Sequence, residues 1–332
     1  MAEKTRHVPV LLQTAIRYLN VQAGGTVVDA TLGYAGHASE IARRLGPRGR
    51  LIGFDRDPAA LELARQRLAA LGEELGAAMP AVELHDVEFS QAGKVLAGRR
   101  VDGLLADFGV SSMHLDEAER GFSFQADGPL DMRMNPRQGR TAEQVVNQMG
   151  EKELADVIYE FGEERRSRRI ARAIVRGRPV TTTAQLARIV AAAAPAMKER
   201  GRHWIHHPTE QARWGPRIHP ATRTFQALRI YVNGELSEID ALLEAAPGLL
   251  QPGGRLVVIS FHSLEDRRVK DALREGARQG VWEVLTRKPE TAEAPRRASS
   301  SGAPAEAEET DRNPRARSAK LRAAERKKVV SC

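Results

Sequence analysis

Cysteine is almost missing from this chain. Its 332 residues hold one, Cys332, so neither a disulfide framework nor a cysteine-based zinc site can form within one chain. That usage is what a reducing cytoplasm favours. No run of about 18 apolar residues exists, so no membrane span is expected. Met1 to Val10 lacks a basic-then-apolar pattern, so no secretory signal is expected either. Aromatics are scarce at 5%. The strict dinucleotide fingerprint Gly-x-Gly-x-x-Gly does not occur at the first glycine turn, which argues against a nicotinamide oxidoreductase. His203, His206, His207 and His219 tempt a metal reading, but their spacing fits no common site and no cysteine joins them; no metal is expected.

The hydrophobic content of 42% is enough for a real core, and the length allows one large domain or two ordinary ones. A formal net charge of +8 and a pI near 9.9 point to a polyanionic partner, although an arginine-rich composition with no such partner gives the same numbers.

Short apolar runs alternate with helical patterns, which implies βαβ units and a parallel sheet. Thr26–Asp29, Leu51–Asp55, Val82–Val87 and Val101–Asp107 are expected strands. His7–Asn20, His37–Leu45 and Pro58 to about Leu75 are expected helices, the last opened by a first-turn proline. After Ser111 the pattern changes. Gly121–Gly139 is an ordered loop, and Thr141 to about Met197 is nearly all helical in pattern. Thr222–Ala246 predicts one long helix, and Arg255–Ser260 returns to a buried strand, with Trp282–Leu285 a last one. A helical domain is therefore expected inside an α/β domain. The expected division is 1–113 and 216–287 for the α/β domain, 114–215 for the insertion, 288–313 for a disordered linker and 314–332 for a basic tail.

The chemistry gathers at strand ends. Asp29, Asp55 and Asp107 each close a strand, and open α/β sheets bind ligands at that edge. The pattern Asp29-x-x-x-Gly33-x-x-Gly36 is looser than a phosphate-binding turn and suits S-adenosylmethionine (SAM), with Asp55 placed to take two ribose hydroxyls. The alternative is a turn whose glycines only permit tight strand–helix packing.

Longer motifs carry a family resemblance. They include His7-Val8-Pro9-Val10-Leu11-Leu12, Asp55-Arg56-Asp57-Pro58 and Asp107-Phe108-Gly109-Val110-Ser111-Ser112. Gly121-Phe122-Ser123-Phe124, Asp127-Gly128-Pro129-Leu130-Asp131-Met132-Arg133 and His219-Pro220-Ala221-Thr222-Arg223-Thr224-Phe225-Gln226 continue the series. Ser260-Phe261-His262-Ser263-Leu264-Glu265-Asp266-Arg267 and Asn313-Pro314-Arg315-Ala316-Arg317 complete it. Over nearly its whole length the chain resembles the bacterial MraW (RsmH) family, which methylates N4 of a cytidine in the decoding region of 16S ribosomal RNA.

The resemblance implies a Rossmann-like SAM-dependent methyltransferase domain with an inserted all-helical RNA-recognition domain. It implies a cytoplasmic enzyme acting on 16S ribosomal RNA or the small subunit, and leaves monomer and homodimer open. The SAM contacts it implies fall on Ala35, Gly36, His37, Asp55, Phe89, Asp107 and His114. The family often has glycine where Ala35 stands, and alanine is tolerated there unless φ is positive. It often has glutamine at the position of His114. The segment from His203 to Arg217 has no assigned counterpart.

Amino methyltransferases often place an Asn/Asp/Ser-Pro-Pro-aromatic loop after the fourth strand; here that place reads Asp107-Phe108-Gly109-Val110. Asp107 is the candidate catalytic residue, touching either the cofactor or the target amine, with a turn cap as its structural alternative. Phe122, Phe124, Phe225 and Phe261 are candidates to hold an unstacked base, though such residues more often fill cores. His262, Ser263, Glu265 and Asp266 either read the cytosine edge or cap the next helix, with Ser263 and Asp266 the expected box. Arg165, Arg166, Arg168, Arg169, Arg172, Arg176 and Arg178 crowd one helical stretch and favour phosphate contact. The tail after Asn313 is basic enough to order on RNA. A non-catalytic RNA-binding assembly factor with a relict SAM pocket is the alternative; assay of methylation on small subunits separates the two.

Overall fold

The computed structural model describes residues 9–194, 219–292 and 313–328. They fall in two units, Met1–Gly109 with Leu236–Cys332, and Val110–Glu235.

The first unit is built on a seven-stranded sheet. In chain order it contains α1 (Leu12–Leu19), β1 (Thr26–Asp29), α2 (Gly36–Leu45), β2 (Arg50–Asp55), α3 (Pro58–Leu75), β3 (Ala81–Asp86), α4 (Ala92–Leu96) and β4 (Val101–Asp107). Strand order is β3-β2-β1-β4, continued by β5 (Leu250–Ser260), β7 (Lys320–Arg326) and β6 (Trp282–Val284). The strands β1 to β5 run parallel, so their carboxyl ends share one edge, and the order reverses between β1 and β4. Ligands of open α/β sheets bind at such a switch point. Val27, Val28, Leu51, Ile52, Leu104, Leu105, Val257 and Val258 are buried, which explains why these strands read as continuous apolar runs. Gly53 is needed for packing: a Cβ there would lie 2.8 Å from Leu32 and 2.9 Å from Leu84. Asp57 caps α3 by accepting the Ala59 N–H at 3.0 Å, one residue before Pro58.

The tail is not a separate basic arm. Lys320–Arg326 forms β7, antiparallel to both β5 and β6. Leu321, Ala323 and Ala324 are buried, and the Arg322 guanidinium is neutralised by Asp266 at 2.6 Å on α12 (Ser263–Arg278). Charge counted along the tail therefore overstates what solvent sees. Most of the expected linker, residues 293–312, lies outside the described residues.

The second unit is helical: α5 (Ser112–Asp116), α6 (Ala142–Gln148), α7 (Glu151–Gly162), α8 (Ser167–Arg176), α9 (Thr183–Ala193) and α10 (Thr222–Asn233). Its core joins Leu130, Met132, Val145, Leu154, Ile158, Ile170, Ile174, Leu186, Val190 and Leu228. Thr141 and Gln144 form a reciprocal cap on α6. The unit extends to Glu235 rather than stopping at 215, because α10 packs on α7. A Cβ at Gly162 would stand 2.6 Å from the Arg223 carbonyl oxygen, and Gln226 donates to the Phe161 carbonyl at 3.1 Å. The single helix expected over 222–246 is two: α10 ends at Gly234, whose φ is +59°, and α11 (Glu235–Leu249) begins after it. Among the described residues no helix is long and apolar enough to cross a membrane.

Candidate functional site

The site is assembled from the loops that leave β1, β2, β3, β4 and β5 at their carboxyl ends. Asp29 ends β1 only 1% exposed, and burial raises its carboxyl to about 7. Its Oδ1 accepts the Thr31 N–H at 3.2 Å. The glycine turn follows. Leu32 N–H donates to the Phe54 carbonyl at 2.9 Å, and Ala35 N–H to the Leu32 carbonyl at 2.7 Å. Gly33, at φ +49°, donates its N–H to Asp55 Oδ2 at 2.8 Å. Asp55 Oδ1 accepts the Asp57 N–H, also at 2.8 Å. Of the two oxygens expected to take ribose hydroxyls, Oδ2 thus ties the β1 loop to the β2 loop and Oδ1 holds the β2 loop itself; a carboxylate oxygen accepts more than one hydrogen bond.

Ala35 precedes α2 at φ +56°, ψ +34°, in the left-handed region. The condition under which alanine is costly there is therefore met. Gly36 and His37 open α2, and the His37 ring is held by a contact of 3.1 Å from Nε2 to the Val10 carbonyl. Burial lowers its pKa to about 4, so the ring is neutral at neutral pH. A neutral ring bonded through Nε2–H leaves Nδ1 without a proton. That atom lies 3.8 Å from Asp107 Oδ2, a contact without charge pairing.

Asp107 closes β4. Its N–H donates to the Thr31 hydroxyl oxygen at 2.6 Å, which locks the strand end against the β1 turn. Its Oδ1 is buried and meets no hydrogen-bond partner among the described residues. Burial raises the carboxyl to about 7; Arg315 pulls it down, while Asp29 and Glu265 push it further up. A cap formed through Oδ1 would have that atom occupied, and among the described residues it is not.

Phe89, expected at the cofactor, packs its ring 5.8 Å from that of buried Phe108. Sequence reasoning missed what holds this loop. Glu238 on α11 accepts the hydroxyl of Ser90 at 3.0 Å and its N–H at 3.3 Å, and lies 3.7 Å from Arg56 in the β2 loop. Phe261, after β5, lies 3.6 Å from where a Cβ on Gly109 would stand. Glu265 Oε2 accepts the Phe261 N–H at 2.8 Å and the His262 N–H at 3.3 Å. The helix-capping reading therefore holds for this segment, with His262 and Glu265 in the box rather than Ser263 and Asp266. Asp266 instead binds Arg322 and Lys320 of β7. Arg315 was also missed: its guanidinium carbon stands 5.1 Å over the Phe261 ring. The available signal was the Asn313-Pro314 turn before an alternating apolar stretch, masked by the surrounding charge.

Several other expected residues belong to the second unit. His114 belongs to the second unit, where it is buried. Its Nδ1 accepts the Ser111 N–H at 3.1 Å, and its ring packs 4.8 Å from Phe122. Phe122 and Phe225 belong to that unit's core, and partly buried Phe124 packs against Phe225 at 4.9 Å. Of the four aromatic candidates, Phe261 is at the sheet edge. Arg178 donates to the carbonyls of Val146 and Met149, so it caps backbone instead of facing phosphate. His203, His206 and His207 lie outside the described residues.

Comparison with known proteins bears on this geometry. A model of the MraW methylase family matches residues 4–327. Ribosomal RNA small subunit methyltransferase H of Acidobacterium capsulatum is 69% identical over 325 residues, covering 98% of this chain and all of that protein. Proteins of the same name from Koribacter versatilis and Geobacter sulfurreducens are 55% and 49% identical, covering 98% and 96% of this chain and 95% and 98% of theirs. Among solved structures, an rRNA methylase from Streptococcus thermophilus aligns with a TM-score of 0.43 at 11% identity, covering 98% of this chain and all of that one.

Proposed function

The chain belongs to the MraW methylase family, and from that premise we propose that it transfers a methyl group from SAM to N4 of a cytidine in the decoding region of 16S ribosomal RNA. The observation that carries the reading is the buried Oδ1 of Asp107 at the switch point of the sheet, unpartnered among the described residues.

The residues present fit the cofactor. Asp55 bridges two loops with a carboxylate suited to ribose hydroxyls, Phe89 and Phe108 offer an apolar wall, and the Gly33–Gly36 turn brings bare backbone to the same edge. When bound, SAM supplies an electrophilic methyl group with a good leaving group.

The protein must prepare the nucleophile. The cytosine amino nitrogen shares its lone pair with the ring, and an acceptor on its N–H helps localise that pair and fixes the approach angle. Asp107 is that acceptor. It works as a carboxylate, and its pKa of about 7 places it near the optimum for accepting a proton at neutral pH. Thr31 fixes its main chain, and neutral His37 adds no competing cation. Phe261 offers a face for the unstacked base. Positioning of this kind supplies much of the acceleration of a displacement reaction.

The exposed arginines of α8 and the loop before it hold RNA phosphates, and the enzyme works with its substrate in the cytoplasm. The test is to incubate small subunits lacking the modification with enzyme and SAM and to map methylation by mass. One methyl group on one decoding-region cytidine is expected, and loss of turnover with retained SAM binding in Asp107→Ala. An Asp107→Ala enzyme with near-normal turnover would overturn the assignment.

A further inference from the structure

The sheet has a second edge, opposite the carboxyl ends of β1 to β5, and cations gather along it. Arg48 stands in the turn before β2, Arg100 immediately before β4, and Arg326, Lys327 and Lys328 at and beyond the end of β7, which runs antiparallel to β5. The backbone joins these places. Gly24 N–H donates to the Leu45 carbonyl at 2.8 Å and Arg50 N–H to the Gly25 carbonyl at 2.9 Å, which ties the turns entering β1 and β2. A Cβ on Gly24 would stand 3.8 Å from that of Arg48. Thr26 N–H donates to Asp102 Oδ2 at 2.7 Å, and Gln251 of β5 donates to Asp102 Oδ1. Val101 pairs with Leu250, whose carbonyl accepts from the Arg326 guanidinium. A Cβ on Gly253 would stand 3.5 Å from Lys328 Cε. The cations thus border one continuous stretch of surface within the first unit.

Their lack of acidic partners sets them apart. Arg50 and Arg99 on the same edge meet Glu83, and Arg255 meets Glu325 at 2.8 Å. The acid inside the patch, Asp102, has its oxygens bonded to Thr26 and Gln251. Among the described residues, Arg48, Arg100, Arg326, Lys327 and Lys328 have no carboxylate within salt-bridge reach. All but Arg326 are exposed. Burial, and after it the Arg100 charge, lowers the Arg326 guanidinium below its ordinary value. Like charges gathered without acids destabilise a compact fold, and a bound polyanion offsets that. The edge is also far from the chemistry: β4 runs seven residues from Val101 to Asp107, about 20 Å at about 3.3 Å per residue. Phosphates beside the target base lie at the carboxyl edge, so phosphates here belong to another stretch of RNA, brought round by its fold.

We propose that the amino edge of the sheet, from Arg48 through Arg100 to Lys327 and Lys328, is a second RNA surface: it takes the phosphate backbone of ribosomal RNA remote from the target cytidine, so that the enzyme reads folded RNA and not only a short sequence. The proposal rests on the RNA-methylation reading above. It gives the end of the chain a role in substrate binding while the rest of β7 serves the sheet.

The test is a full-length variant carrying Arg100→Gln, Lys327→Gln and Lys328→Gln, with Arg326 left in place because it holds Leu250. Binding to small subunits is followed against salt. The slope of log K against log salt is expected to flatten by about 2, so the variant's disadvantage shrinks by roughly tenfold between about 50 and 200 mM salt. SAM affinity and kcat at saturating subunits should stay within about twofold of wild type, since uniform binding alone is removed. Arg100→Lys with Lys327→Arg and Lys328→Arg keeps the charges and is expected to keep the slope. Arg43→Gln with Arg65→Gln and Arg278→Gln removes the same net charge from arginines that already face Glu74, Glu62 and Glu275, and should change the slope by less than about 0.7. Parallel slopes for wild type and the first variant, a charge-keeping variant that behaves like it, or an equal loss in the matched control overturns the proposal. The loss is expected to persist with protein-free 16S ribosomal RNA; its absence there would assign the surface to an acidic ribosomal protein and overturn the proposal too. Wild-type enzyme that binds small subunits and methylates nothing overturns the methyl-transfer reading instead, so the two failures are distinct.

Discussion

Ser90 gives both its hydroxyl and its backbone N–H to the carboxylate of Glu238, at 3.0 and 3.3 Å. The two residues lie on the β3 loop and on α11, and Arg56 of the β2 loop completes the group at 3.7 Å from Glu238. One side chain therefore sets the β3 loop that carries Phe89. Hydrogen bonds to a charged group are worth about 1.5–3 kcal/mol. Glu238→Ala is expected to weaken SAM binding on the order of tenfold, and Ser90→Ala less so, as measured by calorimetry. The double variant should lose less than the sum, since the residues act as a pair. An unchanged Kd in Glu238→Ala would detach this cluster from the cofactor.

Ala35 tests the glycine turn directly. A left-handed alanine costs roughly 1–2 kcal/mol. Glycine removes that strain but gives up a buried methyl worth about 0.8 kcal/mol and adds unfolded-state entropy worth about 0.4–1 kcal/mol. Ala35→Gly is therefore expected to fold with stability within about 1 kcal/mol of wild type. Ala35→Val places a β-branched residue at φ +56° and is expected to be strongly destabilised. Urea midpoints decide the matter; a glycine variant as damaged as the valine one would contradict the left-handed conformation.

These two cases mark where sequence reading works and where it stops. Strand ends were legible because a buried parallel strand is a short apolar run, and Val101–Asp107 has the expected bounds. The Pro58–Leu75 helix was legible from its proline and its periodicity. Partners far apart in the chain were not: nothing local in Ser90 points to Glu238, and nothing in Arg315 points to Phe261. The last strand was hidden for a related reason. Its inward-facing Arg322 is neutralised by Asp266, so a buried strand reads as a solvated basic tail. The φ of Ala35 is set by how the turn closes between β1 and α2, which residue type alone does not reveal.

Asp107 should trade stability for function, with a definite pH signature. Its ordinary carboxyl pKa is 3.8, and burial raises it to about 7 in the folded protein. Between these values the folded state binds the extra proton, so this group's contribution to stability falls as pH rises and is fully unfavourable above about 7. Asp29 acts in the same sense, also raised from 3.8 to about 7. His37, lowered from 6.5 to about 4, acts in the opposite sense: stability rises with pH through that window. Asp107→Asn removes only the first term. Its Tm relative to wild type is expected to rise as pH goes from 4.5 to 8, while its methylation rate collapses. Melting curves of the cofactor-free protein at those pH values are the measurement, and a pH-independent difference would mean that Asp107 is not held protonated by burial.

The α8 arginines make the last prediction. Ile170, Ala171 and Ile174 are buried, while Arg168, Arg169, Arg172 and Arg176 are exposed on the same helix. Arg172 is matched by Glu151 at 3.3 Å; Arg168, Arg169 and Arg176 are the better probes of phosphate contact. Each phosphate neutralised on single-stranded RNA contributes about −0.7 to the slope of log K against log salt. Replacing the three with glutamine should therefore flatten that slope by about 2 and weaken binding most at low salt. Because their side chains are exposed, stability should change by less than about 0.5 kcal/mol for each substitution. SAM affinity should stay the same, since cofactor contacts are assigned to the sheet edge. Salt titrations of RNA binding with wild type and the triple variant read the difference. Parallel slopes would leave these arginines as a solvated face and move the phosphate contacts elsewhere on the protein.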